Sequence, residues 1–150
     1  MQKPSLFILI AFVTTTICFA QKNSLPIRII SSTSQTWVSG APGGRTGTSY
    51  TIQVYIATKH KTDFKSIWIG QENLPVNVEF NSTDVQKKIE KGDTIILTCN
   101  RVNGEPIENF EAHKVPVNYK GDALLETLIN QRKRYFIVKK LEKLPSLRGQ

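Results

Sequence analysis

Apolar residues in this chain recur at every second position and never along a helical stripe longer than two turns, and that alternation constrains its fold most. In "SYTIQVYIAT", Tyr50, Ile52, Val54 and Ile56 alternate with Thr51, Gln53 and Tyr55, so the segment is a strand with one buried and one semi-polar face. "LPIRII" from Leu25 and "FKSIWIG" from Phe64 read as further strands, the latter ended by Gly70. "LPVNVEF" places Leu74, Val76, Val78 and Phe80 inward and Asn77 and Glu79 outward, while Pro75, which cannot donate to a ladder, puts the strand at an edge or at its own start. "TIILTCNRV" is followed by Asn103-Gly104, a strong hairpin signal. "DALLETLIN" and "KRYFIVKKL" form a last pair joined around Gln131-Arg132, a turn without glycine. Between these, "NSTDVQKKIEKGD" allows one helical turn carrying Val85 and Ile89 before Gly92 ends it. The stretch from Glu105 to Lys120 is interrupted by Pro106 and Pro116. Roughly seven or eight strands separated by turns predict an all-β fold of two antiparallel sheets packed face to face, with a small β-barrel as the alternative.

The first twenty residues, "MQKPSLFILIAFVTTTICFA", combine Lys3, an apolar run from Leu6 and a small residue at Ala20, which is the pattern of a secretory signal peptide cleaved before Gln21. Leu6 to Ala20 holds three threonines and falls short of the about 20 apolar residues that span a bilayer, so no membrane span is expected after cleavage. Lipid attachment at Cys18 is a minor alternative, disfavoured by Ile17 where a small residue is wanted. Residues 21–150 then form a single β-sandwich domain, exported to the periplasm, the outer surface or the medium.

Cleavage leaves Cys99 as the one cysteine, which cannot form an internal disulfide, so the domain must stand on its apolar core. Period 2 places Cys99 with Ile95 and Leu97, on the core face. The chain carries 20 Lys and Arg against 12 Asp and Glu, and the excess concentrates from Arg132 onward, where Arg132, Lys133, Arg134, Lys139, Lys140, Lys143 and Arg148 face Glu142 alone.

Trp37, a glycine-rich loop, the Tyr50 strand, "SIWIG", "KGDTIIL" and a closing Tyr135-Phe136 strand, in that order, resemble the small exported immunoglobulin-like β-sandwich proteins of Gram-negative bacteria that have no assigned activity. The resemblance spans Gln21 to Gln150 and implies an immunoglobulin-like sandwich, with no activity attached. Two antibody-type marks are missing: a second cysteine, and a tyrosine two places before one.

"GAPGGRTG" fails as a phosphate cradle, because no Lys-Ser or Lys-Thr follows its glycines, no two of them are separated by one residue, and a strand comes next. It is a loop between strands, in which Arg45 and Thr46 are candidate anion contacts. "RKRYFIVKK" interleaves Arg132, Lys133, Arg134, Lys139 and Lys140 with Tyr135 and Phe136, which suits polyanion contacts or the protection of an edge strand. For an exported chain the partner is an extracellular polyanion or a cell-envelope protein, not intracellular nucleic acid. His60 and His113 have no paired-ligand spacing with each other or with Cys99, and no nucleophile elbow is present, so no metal, cofactor or catalytic residue is assigned. The function expected is that of a non-catalytic binding or structural module. The alternative is a secreted hydrolase using the loop carboxylates Glu108, Glu111 and Asp122.

Overall fold

The period-2 segments build nine strands: β1 (Ile27–Val38), β2 (Thr46–Ile56), β3 (Thr62–Ile69), β4 (Glu72–Pro75), β5 (Asn77–Phe80), β6 (Thr94–Val102), β7 (Ala123–Ile129), β8 (Arg132–Val138) and β9 (Glu142–Arg148). The computed structural model describes residues 25–80, 88–106 and 114–149. The signal-peptide segment with Cys18, most of the expected helical turn with the Asn81-Ser82-Thr83 tripeptide, and Glu108, Glu111 and His113 lie outside the described residues.

Five strands form one sheet in the order β5-β6-β2-β1-β9, and four form a second in the order β4-β3-β7-β8. Every pairing is antiparallel except that of β9, which runs parallel to β1 from Thr33↔Glu142 to Val38↔Arg148. The sheets stay open, with β5 and β9 as the edges of the first and β4 and β8 as the edges of the second, so the barrel alternative is excluded. Strands β1 to β8 follow the immunoglobulin-like order, with β5-β6-β2-β1 facing β4-β3-β7-β8 and crossovers between sheets after β2, β4 and β6.

The strand count exceeds the seven or eight expected, for two physical reasons. "LPVNVEF" is two strands: β4 pairs with β3 through Leu74↔Ile67, whereas β5 pairs with β6 through Val78↔Leu97, so the chain changes sheets at Val76. Inward parity survives the change, with Leu74 buried and Val76, Val78 and Phe80 packed on the core. The second addition is β9, whose Pro145 is tolerated because an edge strand need not donate outward. The first strand also runs beyond "LPIRII" to Val38, and the glycine loop shrinks to residues 39–45.

The turn between β7 and β8 is centred on Asn130-Gln131 rather than Gln131-Arg132, because Ile129 pairs with Arg132. Both central residues have positive φ, 49° and 63°, which is the type I′ geometry of a two-residue hairpin. Asparagine tolerates that backbone, so the turn forms without glycine.

Between the sheets, Ile27, Ile52, Val54, Ile56, Ile95, Leu97 and Cys99 from the first meet Phe64, Ile67, Leu74, Ala123, Leu125 and Val138 from the second. Each aliphatic side chain buried in this way contributes about 1.5–3 kcal/mol, so the core stabilises the domain without a disulfide. In β8, Phe136 and Val138 turn to the core while Ile137 stays 46 % exposed on the other face.

Candidate functional site

The basic residues of "RKRYFIVKK" do not form one patch. Strand β8 advances about 3.4 Å per residue, which puts Arg132 and Val138 about 20 Å apart, at opposite ends of the sandwich. Arg132, Lys133 and Arg134 follow the hairpin turn at one end, whereas Lys139 and Lys140 make the crossing from β8 to β9 at the other.

At the hairpin end, β3–β7 pairing brings a second basic segment alongside. Thr62 pairs with Ile129, so Lys59, His60 and Lys61 lie beside the β7–β8 turn. Asn130 fastens the two together: its backbone N–H donates to the Lys61 carbonyl at 3.0 Å, and its Nδ2 lies 2.9 Å from His60 Nδ1. The contact ties the Asn130 side-chain amide to the His60 ring. The loop is held further by His60 N–H donating to Thr58 Oγ1 at 3.1 Å and by the Thr62 hydroxyl donating to the His60 carbonyl at 3.1 Å. Lys59 and Lys61 thus lie at the same end of the sandwich as Arg132 and Arg134 at the start of β8; all four are exposed, and among the described residues none of them pairs with a carboxylate. Asp63, the acid beside them, lies 3.6 Å from Lys65.

Lys133 differs from its neighbours. Its Nζ lies 3.0 Å from Glu126 Oε1 on the outer face of the four-stranded sheet, so its charge is committed to the fold. That hydrogen bond, reinforced by the carboxylate's charge, holds the Lys133 ammonium above the usual lysine range. Tyr135 is half-buried beside them, opposite Glu126.

Arg45 and Thr46 also hold protein partners. Arg45 pairs with Glu105, and Thr46 Oγ1 accepts from Asn103 Nδ2 at 2.9 Å, so both anchor the segment that leaves β6.

The end of the sandwich away from the hairpin carries a cleft that none of these motifs pointed to. Strand β3 ends at Ile69 and β7 begins just after Asp122, while the five-stranded sheet continues past both. The gap is a cavity of about 590 Å³ lined by Ser34, Thr36, Thr48, Tyr50, Ile69, Asp122, Leu141, Lys143, Leu144 and Ser146. Asp122 Oδ2 accepts the Leu141 N–H at 2.7 Å, and the Ser32 hydroxyl donates to the Lys140 carbonyl at 2.6 Å, fixing the crossing from β8 to β9 along one rim. Burial, with Cys99 and Glu72 nearby, pushes the Tyr50 phenol above its ordinary value, so it remains a neutral hydroxyl at pH 7. The sequence signal for the cleft was the change at inward positions of β1 from Ile27 and Ile29 to Ser32, Ser34 and Thr36.

Among the described residues, no three His, Cys, Asp or Glu side chains converge as metal ligands. No described helix is long and apolar enough to cross a membrane. Asp122 is the one member of the suggested carboxylate set within the described residues. The chain matches no family model, no curated protein and no solved structure.

Proposed function

We propose that this protein is a non-catalytic binding module, exported from the cytoplasm, that holds anionic polymers through the basic end of its sandwich. The observation that carries the reading is the fastening of the 57–61 loop to the β7–β8 turn by Asn130, which brings the exposed Lys59 and Lys61 to the same end of the sandwich as the exposed Arg132 and Arg134. Cations on a loop and the adjoining strand end suit a flexible chain bearing repeated carboxylate, sulfate or phosphate groups, because each contact adds charge attraction without requiring a shaped pocket. The N-terminal leader pattern supports export, and export makes such polymers the available partners. A cell-envelope protein with an acidic surface would meet the same cations.

The test is binding to a sulfated polysaccharide and to polyphosphate across a salt series, with Lys61→Glu, Arg132→Glu and Arg134→Glu combined. Affinity should fall steeply with salt, since exposed charges are screened within about 8 Å at physiological ionic strength. The triple variant should lose binding while keeping its unfolding midpoint. Salt-insensitive binding, or full binding by the triple variant, would reject the basic end as the site.

A further inference from the structure

Inward positions of a sandwich are mostly apolar where the opposite sheet covers them, as along β2 and β6 here. On β2 the inward series runs Ile56, Val54, Ile52, Tyr50, Thr48, and on the paired β1 it runs Ile27, Ile29, Ser32, Ser34, Thr36. Both series change from aliphatic to hydroxyl-bearing within one pair of each other, at Ser32 on β1 and Tyr50 on β2, and beyond that point Ser34, Thr36, Thr48 and the edge of Tyr50 line the cavity. A hydroxyl buried without a partner is costly, and this surface is therefore built to stay wet or to be filled by polar matter.

From these observations we infer that the cleft is a second binding site, separate from the basic end, and that it takes a short acidic saccharide. Serine, threonine and tyrosine hydroxyls each donate and accept, which matches sugar hydroxyls that do the same. Ile69, Leu141 and Leu144 add apolar patches against which the C–H faces of a sugar ring can pack. Lys143 stands on β9 opposite Ser34, and among the described residues no carboxylate pairs with its ammonium, so it can meet one acid group of the ligand. Asp122 keeps an oxygen beyond the one bonded to Leu141, an acceptor for a pair of sugar hydroxyls. A purely apolar ligand would leave the hydroxyls without partners. A polyphosphate would find a single lysine beside a carboxylate. The cavity of about 590 Å³ falls in the range of small-ligand sites.

The experiment is an NMR titration of the isotope-labelled protein with a tetrasaccharide containing glucuronic acid and, separately, with a neutral glucose tetrasaccharide. The acidic probe should shift the amide signals of Ser34, Thr36, Thr48, Tyr50 and Lys143, and bind about tenfold more tightly than the neutral one, the scale of one charge-assisted contact. Lys143→Met should erase that difference and leave the neutral probe unaffected. Thr36→Val with Thr48→Val should weaken both probes. Arg132→Glu with Arg134→Glu should change neither, which separates this site from the basic end. Shifts confined to the 59–61 loop and the β7–β8 turn would overturn the inference, and so would equal affinity for the two probes or no shift at millimolar concentration.

Discussion

Arg101 of β6 and Glu72 of β4 form a bidentate pair, with Nε 3.0 Å from Oε2 and Nη2 3.2 Å from Oε1, and this pair joins the two sheets at the cleft end of the sandwich. The remaining Nη1 donates to the backbone carbonyls of Val102 and Glu105, so the whole guanidinium is engaged. Planar fork geometry holds β4 against the five-stranded sheet just before the chain crosses into β5.

Replacing Glu72 with Gln removes the charge and one acceptor while keeping the side-chain shape. The expected loss is about 1 kcal/mol, because the pair is only partly buried and water screens it. Arg101→Lys should cost at least as much, since an ammonium cannot serve the two carboxylate oxygens and the two carbonyls together. A double-mutant cycle on urea midpoints checks both, and a coupling near zero would show that the pair does not hold the sheets.

Glu126 is only 7 % exposed, although it lies on the outer face of the four-stranded sheet, and it rests between Lys133 and the Trp68 indole N–H, which is 3.5 Å from Oε2. Lys133→Met takes away the nearer partner and should destabilise by about 1–3 kcal/mol, the cost of a poorly satisfied buried acceptor. Charge reversal at Lys133 would set two carboxylates together, which is why Arg132 and Arg134 are the residues to reverse when binding is tested. The pH dependence has a defined sign. The folded-state pKa of Lys133 is raised, so its contribution is fully present below the ordinary value of 10.5 and is lost as pH rises through the higher folded value. The stability gap between wild type and Lys133→Met should therefore be constant at neutral pH and shrink only above about pH 10.5, by a modest amount because the lysine is largely exposed.

Much of the fold was legible in single residues. The alternation in β2 and β6 placed Ile52, Val54, Ile95, Leu97 and Cys99 on the core face, and Pro75 marked an edge strand. The change of sheets at Val76 was not legible, because Leu74, Val76 and Val78 face the same core from either sheet and the parity gives no sign of the crossing. Strand β9 was missed because Pro145 interrupts its pattern and its partner, β1, lies more than a hundred residues away in sequence. The basic end combines Lys59 and Lys61 with Arg132 and Arg134, and only the β3–β7 register brings those segments together. For the cleft, the hydroxyls of Ser34 and Thr36 were visible, but their meaning depends on where the opposite sheet stops.

Cys99 is 3 % exposed within the core, and burial pushes its thiol up to about 12. The thiolate is the reactive form, so the folded protein should resist thiol reagents near pH 8 and label only as it unfolds. Labelling in urea should track the unfolding curve followed by tryptophan fluorescence. Fast labelling of the native protein, or a disulfide-linked dimer on a non-reducing gel, would contradict burial. Cys99→Ser puts a hydroxyl among Tyr50, Leu97 and their neighbours and should lower stability by about 1–3 kcal/mol.

The β7–β8 turn sets Asn130 at φ 49° and Gln131 at φ 63°, and the second of these is the costlier residue, since glutamine has neither the local hydrogen bonding of asparagine nor the freedom of glycine. Both residues are exposed, so a change at Gln131 acts on the backbone and on little else. Gln131→Gly creates the Asn-Gly pair that type I′ hairpins favour and should raise stability by about 0.5 kcal/mol, the relief of left-handed strain less the extra freedom glycine adds to the unfolded chain. Gln131→Val should do the opposite and cost about 1–2 kcal/mol, because a β-branched side chain is strained at positive φ. Urea midpoints for the two variants should therefore move in opposite directions around wild type. Since Asn130 is untouched, its bonds to Lys61 and His60 remain, and Gln131→Gly should leave polyanion binding unchanged. If Gln131→Gly instead lowered stability, the turn could not be type I′, and the alignment of the basic end that depends on it would have to be redrawn.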